Sequence, residues 1–325
     1  MGLRTSFLVI ISLAVLTVSC NKTVSTGPDT IPYVKSILAS RDGRDFKVLS
    51  SAMSTGSKGT IAVVDNPSRA SALRDVFVGC DFFENIDGKL EPDLLPDFAG
   101  ETIVALVDSS FDSKLRSADS VGIRELAVKS FVSVLDTSVH AKAVVLSSPL
   151  MAVEAVFDID SLKHFFGLDI PVVYPIKSAS DQVRVEFGVN ASVAVISDSD
   201  NPSVLGKYDR FFSRPYVVSS AGICDTLSFR DILKEYAESG NSKAFDVLVI
   251  DDYSIDASAF DSEVEDIINV ESPENLALRQ LISVGFKVVD CRDMAAKACY
   301  KEFRNKNMFT HNVAYPIGLT LNVQD

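Results

Sequence analysis

Short apolar runs that end in polar turn residues recur along the chain, and the segments between them carry apolar residues at helical spacing. An unbroken apolar run is typical of a strand buried on both faces, as in parallel sheets. The predicted strands are residues 60–64, 103–107, 143–146, 171–176, 192–196, 247–250, 286–289 and 319–323. Strands alternating with helices predict an α/β fold made of mainly parallel sheets with flanking helices.

Helix boundaries are marked most clearly in the second half of the chain. Ser228 precedes a run with apolar residues on one helical face, which predicts that it caps a helix ending at Gly240. Ser272 is followed by Pro273, the residue favoured at the first helical position. These signals predict two separate helices between the later strands.

Two short motifs occur twice, which indicates an internal duplication. Asp-Asn-Pro-Ser occupies residues 65–68 and 200–203, and Tyr-Pro-Ile occupies residues 174–176 and 315–317. Between them, strand 104–108 aligns with 247–251, and strand 142–145 aligns with 287–289. The repeat predicts two similar lobes in tandem, residues 34–180 and 181–325, with a ligand cleft between them.

The repeated motifs follow predicted strands, and ligands of open α/β sheets bind beyond the carboxyl ends of the strands. The predicted ligand-binding residues are Asp65, Asn66, Ser68, Tyr174, Asp200, Asn201, Ser203 and Tyr315. Carboxylates, amides and hydroxyls suit a ligand rich in hydroxyl or amino groups, such as a sugar or nucleoside. An inward turn of Arg69 or Lys177 would change that ligand. The alternative is that Asp, Asn, Pro and Ser only form the turns they favour.

The first residues have the pattern of a secretory leader. Arg4 precedes an apolar run over residues 7–18, and small residues lead to Cys20. The sequence Leu16-Thr17-Val18-Ser19-Cys20 resembles the lipobox of bacterial lipoproteins. This resemblance implies a signal peptide over residues 1–19, a lipid on Cys20, and a flexible tether over residues 20–33. It places the protein in the bacterial cell envelope, on the periplasmic face or the cell surface. An ordinary signal peptide is the alternative.

The net charge and the cysteine content indicate which partners and which metal sites to expect. The formal net charge of −13 disfavours nucleic acid as a partner, and only the lipid anchor is expected to contact the membrane. The cysteines after Cys20 are Cys80, Cys224, Cys291 and Cys299, none of them in a C-x-x-C pair, which disfavours a zinc or iron–sulfur site. Cys291 and Cys299 lie too far apart along a predicted helix to form a disulfide, and any other pairing stays open.

A lipid-anchored chain with two α/β lobes resembles the type I periplasmic binding proteins. The resemblance covers roughly residues 60–323 and implies a non-catalytic protein that captures a small polar solute, without a cofactor, and passes it to an envelope transporter. The chain departs from that family because its repeat is in tandem, whereas those proteins usually cross between lobes three times. An exchange of the final strand between the lobes, at the Tyr-Pro-Ile segments, would reconcile the tandem repeat with that crossover pattern.

Two other functions remain open at this stage. Asp198-Ser199-Asp200 resembles the nucleophile motif of haloacid-dehalogenase-like phosphatases, which implies Mg²⁺-dependent phosphoryl chemistry by Asp198 and Asp200. Residues 251–256 resemble the acidic magnesium motif of that family, but Pro202 and the short spacing depart from the pattern. A cell-envelope scaffold with a filled, apolar seam is the third candidate. The prediction from sequence is the solute-binding protein, without catalysis.

Overall fold

The protein is described by a computed structural model that covers residues 30–52, 57–221, 227–310, 312 and 314–323. The predicted leader, Cys20 and the tether up to residue 29 lie outside these ranges, as do Cys224 and His311. The described residues form an α/β fold with two parallel sheets, which confirms the predicted fold class.

The first sheet has five strands in the order β4-β3-β1-β2-β9, all parallel. The strands are β1 (Thr60–Asp65), β2 (Thr102–Val107), β3 (Ala141–Leu146), β4 (Val172–Val173) and β9 (Ile317–Asn322). The second sheet has four parallel strands in the order β6-β5-β7-β8. They are β5 (Val193–Ser197), β6 (Tyr216–Ser219), β7 (Phe245–Asp251) and β8 (Ile282–Asp290). The inner strands of both sheets are buried, as their apolar runs predict.

Helices connect the strands and cover the sheets. In the first half they are α1 (Pro32–Ala39), α2 (Arg44–Ser51), α3 (Pro67–Gly79), α4 (Phe111–Ser117), α5 (Ser120–Leu135), α6 (Pro149–Glu154) and α7 (Val156–Phe166). They continue with α8 (Pro175–Phe187), α9 (Pro202–Leu205), α10 (Phe229–Glu238), α11 (Ala257–Asn269), α12 (Pro273–Arg279) and α13 (Cys291–Lys306). A single 3₁₀ turn, Tyr208–Arg210, follows α9.

Capping side chains fix several helix starts. Ser228 accepts a hydrogen bond from the amide of Arg230 at the start of α10, and Ser272 accepts one from Asn275 in α12. The two predicted caps are thereby confirmed. Asn66 caps α3 in the same way, accepting from the amide of Arg69. This cap matters for function because it fixes the first turn of α3, which carries Arg69.

The final strand returns to the first sheet. β9 lies at the edge of that sheet, parallel to β2, with Ile317 opposite Thr102. The predicted tandem division at residue 181 therefore does not describe the sheets, since β9 belongs with the earlier strands. The chain thus returns from the second sheet to the first through β9, as the predicted exchange of the final strand requires.

The strand correspondences of the proposed duplication hold only for β1 and β2, which adjoin each other as their counterparts β5 and β7 do; the rest are wrong. β1 lies between β2 and β3, whereas its proposed counterpart β5 lies between β6 and β7. The proposed counterpart of β3, which is β8, does not adjoin β5 at all. The Tyr-Pro-Ile motifs also differ, because Tyr174 caps α8 whereas Tyr315 precedes β9. Similar apolar strands followed by similar turns produced the repeat in sequence without matching strand order.

A buried ion pair lies at the amino-terminal end of the first sheet. The Lys142 ammonium is 2.7 Å from a Glu101 oxygen, and both side chains are fully buried. Lys142 also donates to the carbonyls of Ser57 and Met308, and Glu101 accepts from the amide of Thr310. The pair thus ties the segment that leads into β9 to the strands beneath it. Among the described residues, no helix is long and apolar enough to cross a membrane.

Candidate functional site

The two sheets present the carboxyl ends of their inner strands to each other, and the side chain of Arg69 lies between them. Arg69 extends from the first turn of α3, directly after β1. It reaches Asp198, which follows β5, and Asp251, which ends β7. In open α/β sheets this position is the usual place for a ligand. Here it is taken by a guanidinium.

The guanidinium of Arg69 is surrounded by three carboxylates. Its Nη1 donates to Asp198 Oδ1 at 2.8 Å, its Nη2 donates to Asp251 Oδ1 at 3.1 Å, and its Nε lies 3.3 Å from Asp65 Oδ2. The carbonyls of Asp251 and Ser147 accept further hydrogen bonds at 3.0 and 3.3 Å. We call Asp65, Arg69, Asp198 and Asp251 the inter-sheet cluster.

Asp65 and Asp251 are each held by a second group. Asp65 accepts hydrogen bonds from the Ser147 hydroxyl and, at 2.6 Å, from the amide of Asn66. Asp251 accepts one at 2.6 Å from the hydroxyl of Tyr208, whose oxygen accepts from the Ser197 hydroxyl at 3.0 Å. These bonds fix the orientation of both carboxyl groups relative to Arg69.

An aromatic ring closes one side of the inter-sheet cluster. The guanidinium carbon of Arg69 lies 3.9 Å from the centre of the Tyr253 ring, which is a close cation–π contact. The Tyr253 hydroxyl is buried and has no hydrogen-bond partner among the described residues. A polar group buried without a partner costs free energy, so it is a place where a ligand atom would be favoured.

Burial decides the charge state of the inter-sheet cluster. Asp65 and Asp251 are 1% and 0% exposed, while the Asp198 side chain is 35% exposed. Loss of water raises the pKa of Asp65 to about 7, against the lowering effect of Arg69. The same cause raises the pKa of Asp251 to about 6. Burial also opposes the charge on Arg69, but Asp198 and Asp251 outweigh it, so its pKa is raised and it stays a cation.

Burial is the main cause of these raised pKa values, and excess negative charge adds to it. Three carboxylates share a single guanidinium, so full ionisation would leave uncompensated charge in a buried place. A carboxyl group whose pKa lies near 6 or 7 holds its proton part of the time at neutral pH. Such a group both accepts and donates protons, which is the requirement for general acid–base catalysis.

Most of the predicted ligand-binding residues do not meet in one site. Asp65 joins the inter-sheet cluster, but Asn66 only caps α3 and donates to Asp112 at 3.1 Å. Asp200 is exposed and pairs with Arg116 at 2.8 Å. The exposed Ser68 and Ser203 and the capping Asn201 complete the two turns. The prediction that these turns face each other across a cleft is wrong, because their side chains cap the helices that follow.

The two predicted tyrosines lie away from the inter-sheet cluster. Tyr174 is buried at the start of α8, and desolvation raises the pKa of its hydroxyl. Tyr315 is 77% exposed and lines a separate cavity. Neither offers a ring to a ligand held by Asp65.

The predicted phosphatase arrangement is also not formed. Asp198 binds Arg69 and Asp200 binds Arg116, so the two carboxylates do not converge. Asp256 caps α11 by accepting from the amide of Ser258. Within the ranges that the structure describes, no group of three or more acidic, histidine or cysteine residues is placed to hold a metal ion.

Two of these carboxyl groups, Asp198 and Asp251, are parts of the phosphatase resemblance in the sequence. Arg69 was noted as a residue whose inward turn would change the ligand, and it does turn inward. Tyr208 and Tyr253 carried no signal, because neither lies in a motif. The informative pattern is an acidic residue at or directly after the carboxyl end of β1, β5 and β7.

No protein-family model matches the sequence, and no curated protein matches it. Solved structures that match include a glutamate racemase from Francisella tularensis in complex with D-glutamate, with 13% identity, 83% of this chain and 89% of that chain covered, and a TM-score of 0.47. A glutamate racemase isoform from Bacillus anthracis matches with 11% identity, coverages of 82% and 89%, and a TM-score of 0.49. An unliganded arylmalonate decarboxylase matches with 12% identity, coverages of 76% and 92%, and a TM-score of 0.37.

The prediction of a non-catalytic solute-binding protein is wrong. The structure supplies the physical reason, since the predicted solute position between the sheets holds Arg69 and three carboxylates. The same charged cluster differs from the apolar seam expected of a scaffold.

Proposed function

We propose that the protein is an enzyme that moves a proton on the carbon atom next to a carboxylate. The observation that carries the proposal is the pair of buried carboxyl groups, Asp65 and Asp251, which come from opposite sheets and contact one guanidinium. Their pKa values are raised to about 7 and about 6, within the range where a carboxyl group exchanges protons at neutral pH.

Arg69 is the substrate-binding group in this proposal. A guanidinium binds carboxylates through two parallel hydrogen bonds, and Arg69 already presents both terminal nitrogens to carboxylates. Asp198 is the partner that a substrate carboxylate replaces, because it is the most exposed of the three. A carboxylate bound there lies on the same guanidinium as Asp65 and Asp251.

The chemistry then needs only the residues of the inter-sheet cluster. The ionised form of one aspartate removes the proton from the carbon next to the substrate carboxylate, and the electron pair moves into that carboxylate. Arg69 stabilises the negative charge that develops there, in a site from which most water is excluded. The protonated form of the other aspartate returns a proton to the carbon, which inverts the configuration when it comes from the opposite side. The proposal belongs to the same broad reaction class as a racemase.

The experiment is proton exchange in deuterium oxide. The protein is incubated with a panel of amino, hydroxy and aryl acids, and proton NMR follows the signal of the hydrogen next to the carboxylate. We expect loss of that signal for at least one acid, and no loss with Asp65→Asn or Asp251→Asn. Asp200→Asn is the matched control, because Asp200 is an exposed strand-end aspartate outside the inter-sheet cluster. Exchange at an unchanged rate in both cluster variants contradicts the proposal, as does a panel without any exchange.

We also propose that this enzyme is attached to the cell envelope by lipid on Cys20. The support is the leader and the resemblance of residues 16–20 to a lipobox. Residues 20–29 would link the lipid to the folded part, and ten extended residues span at most about 35 Å. Such a tether keeps the inter-sheet cluster near the membrane surface, where its substrate would be a small acid of the envelope.

A further inference from the structure

A cavity lies at the amino-terminal edge of the first sheet, and no residue of the inter-sheet cluster lines it. Its volume is about 670 Å³, which is within the range of small-molecule sites. The loop before β2, the end of α13 and the segment leading into β9 form its walls. We call it the aromatic cavity, and its lining includes Leu95, Ala99, Tyr300, Arg304 and Tyr315.

Aromatic rings form the body of this cavity. Tyr300 lies 5.2 Å from Phe309 between ring centres, and Phe303 lies 5.3 Å from the same ring. Behind them, Phe83 stacks on Tyr300 at 4.3 Å with the rings nearly parallel. Tyr300 and Phe303 are buried and hold this wall rigid, so the partly buried Phe309 is the ring of the group that can meet a ligand.

One cation stands at the aromatic cavity without a carboxylate partner. Arg304 donates to the carbonyls of Asn85 and Ile86 at 3.1 and 3.0 Å, and no ion pair joins it to an acidic residue of the described ranges. The Thr310 hydroxyl, also in the lining, is buried and has no hydrogen-bond partner in the same part of the chain. The net charge of the protein is −13, so a positive charge without a carboxylate partner in the described ranges is notable here. The Arg304 guanidinium and the Thr310 hydroxyl both line the same cavity as the aromatic rings.

The mouth of the aromatic cavity carries exposed apolar residues. Leu94 is 89% exposed and Leu95 is 56% exposed. Leu94 has a φ of 70°, a left-handed conformation that is unfavourable for leucine. The loop is held there by carboxylates, since Asp81 accepts from the amides of Asp93 and Leu94. Strain retained by several hydrogen bonds at an exposed apolar residue is a feature of functional loops.

We propose that the aromatic cavity binds a small anion with a flat apolar body, such as an aromatic carboxylate or sulfonate. The rings of Phe309 and Tyr315 contact the body, and Arg304 binds the acidic group through a charge-assisted hydrogen bond. Thr310 supplies a further hydrogen bond. The site is independent of the proposed chemistry, because none of its residues belongs to the inter-sheet cluster.

Two fluorescent probes separate the contributions of shape and charge. Anilinonaphthalene sulfonate is a flat apolar anion, and phenylnaphthylamine has a similar body without the charge. Each is titrated into the wild-type protein and into Arg304→Gln, Ala99→Phe and Tyr315→Ser. Far-UV circular dichroism and thermal melting check folding, and Tyr315→Ser is the variant least able to disturb it, since Tyr315 is 77% exposed.

We expect Arg304→Gln to weaken binding of the sulfonate probe by about tenfold to a hundredfold and to leave binding of the neutral probe unchanged. Ala99→Phe fills the aromatic cavity and should abolish binding of both probes, and Tyr315→Ser should weaken both. Lys129→Gln is the matched control, because Lys129 lines a different cavity, of about 730 Å³, beside Leu321. Unchanged binding in Ala99→Phe and Tyr315→Ser overturns the proposal, as does sulfonate binding that depends on Lys129. An equal loss of both probes in Arg304→Gln overturns the role of Arg304.

Discussion

Arg69, from the first helix turn after β1, donates to the carboxyl group of Asp251 at the end of β7, with 3.1 Å between Nη2 and Oδ1. This contact joins the carboxyl ends of two different sheets. It is buried on both sides, with side-chain exposures of 8% and 0%. One side chain therefore links the two halves of the fold, and the same side chain is the proposed substrate-binding group.

Removing the charge of Arg69 should destabilise the protein strongly. In Arg69→Gln, the buried Asp65 and Asp251 lose the cation that compensates them, and breaking a buried ion pair costs about 3–5 kcal/mol. Urea unfolding at pH 7 measures the loss. Arg116→Gln is the control, because Arg116 and Asp200 are both more than half exposed and such pairs contribute about 0–1 kcal/mol. Equal effects of the two substitutions would show that Arg69 is not a link between the sheets.

The raised pKa of Asp65 predicts how stability depends on pH. Burial raises the pKa of Asp65 from 3.8, its ordinary value and that of the unfolded chain, to about 7 in the folded protein. Between these values the folded protein keeps a proton that the unfolded chain has released. The stabilisation is therefore complete below the lower pKa and is lost as the pH rises toward 7.

Unfolding free energies of wild type and Asp65→Asn, measured from pH 4 to pH 8, test this sign. The difference between wild type and variant should fall with rising pH by an amount whose upper limit is about 4 kcal/mol. Asparagine cannot titrate, so its curve lacks this contribution. Parallel curves, or a difference that grows with pH, would contradict the raised pKa.

The sequence predicted the layers of the fold because buried parallel strands leave a strong local signal. The runs at β1, β2, β5 and β7 are apolar and end in turn residues, and each lies within one or two residues of its predicted place. Partly buried β6 has a weaker pattern and was missed. Strand order could not be predicted, since it depends on which edges meet in space. β9 joined the first sheet although its neighbours in sequence belong near the second.

The candidate site shows the same division between local and spatial information. Asp65 was predicted from its place after a strand, and that position is local. The prediction of Asp200 on the same ground is wrong. Asp198, directly after β5, reaches Arg69, whereas Asp200, two residues further on, lies in an exposed turn and pairs with Arg116. Arg69 also binds Asp198 and Asp251, which lie 129 and 182 residues further along the chain, and a single sequence holds no signal for such contacts.

The ion pair between Glu101 and Lys142 should act as one unit with the segment before β9. Burial lowers the pKa of Lys142, and Glu101 holds its charge in place. Glu101→Gln leaves the ammonium without its anion and should cost about 3–5 kcal/mol. Since Lys142 also binds the Met308 carbonyl, hydrogen exchange at residues 308–310 should increase more than exchange in β7. A double-mutant cycle of Glu101→Gln with Lys142→Met measures the coupling, and additive effects would contradict it.

Lipid attachment at Cys20 is tested by its removal. In a bacterial host, wild type should fractionate with membranes and carry a mass increase on the first residue of the mature chain. Cys20→Ala should give an uncleaved precursor or a soluble product, because the acceptor sulfur is gone. Cys80→Ala is the control, since Cys80 is buried in the folded part and is not available to lipid. An unmodified Cys20 within the mature wild-type protein would contradict the lipobox assignment.

Gly100 should be essential for docking β9 onto the first sheet. Its φ is 81°, and its amide donates to the Ala314 carbonyl at 2.6 Å, where the chain turns into β9. A Cβ atom at this position would collide with the carbonyl of Asn312. Backbone carbonyls cannot swing aside as a side chain can, so Gly100→Ala must shift the segment that leads into β9.

Gly188 provides the matched comparison for Gly100, because its φ is 82° and a Cβ atom there would meet nothing within 4 Å. Its ψ is 178°, so the backbone lies in a region that is almost restricted to glycine, and Gly188→Ala should cost only that backbone strain, about 1–3 kcal/mol. Gly100→Ala should cost clearly more, because displacement of β9 is added to its backbone strain. Urea unfolding gives both values, and hydrogen exchange shows whether residues 317–322 lose protection only in Gly100→Ala. Equal losses in the two variants would mean that β9 docks without close contact at Gly100.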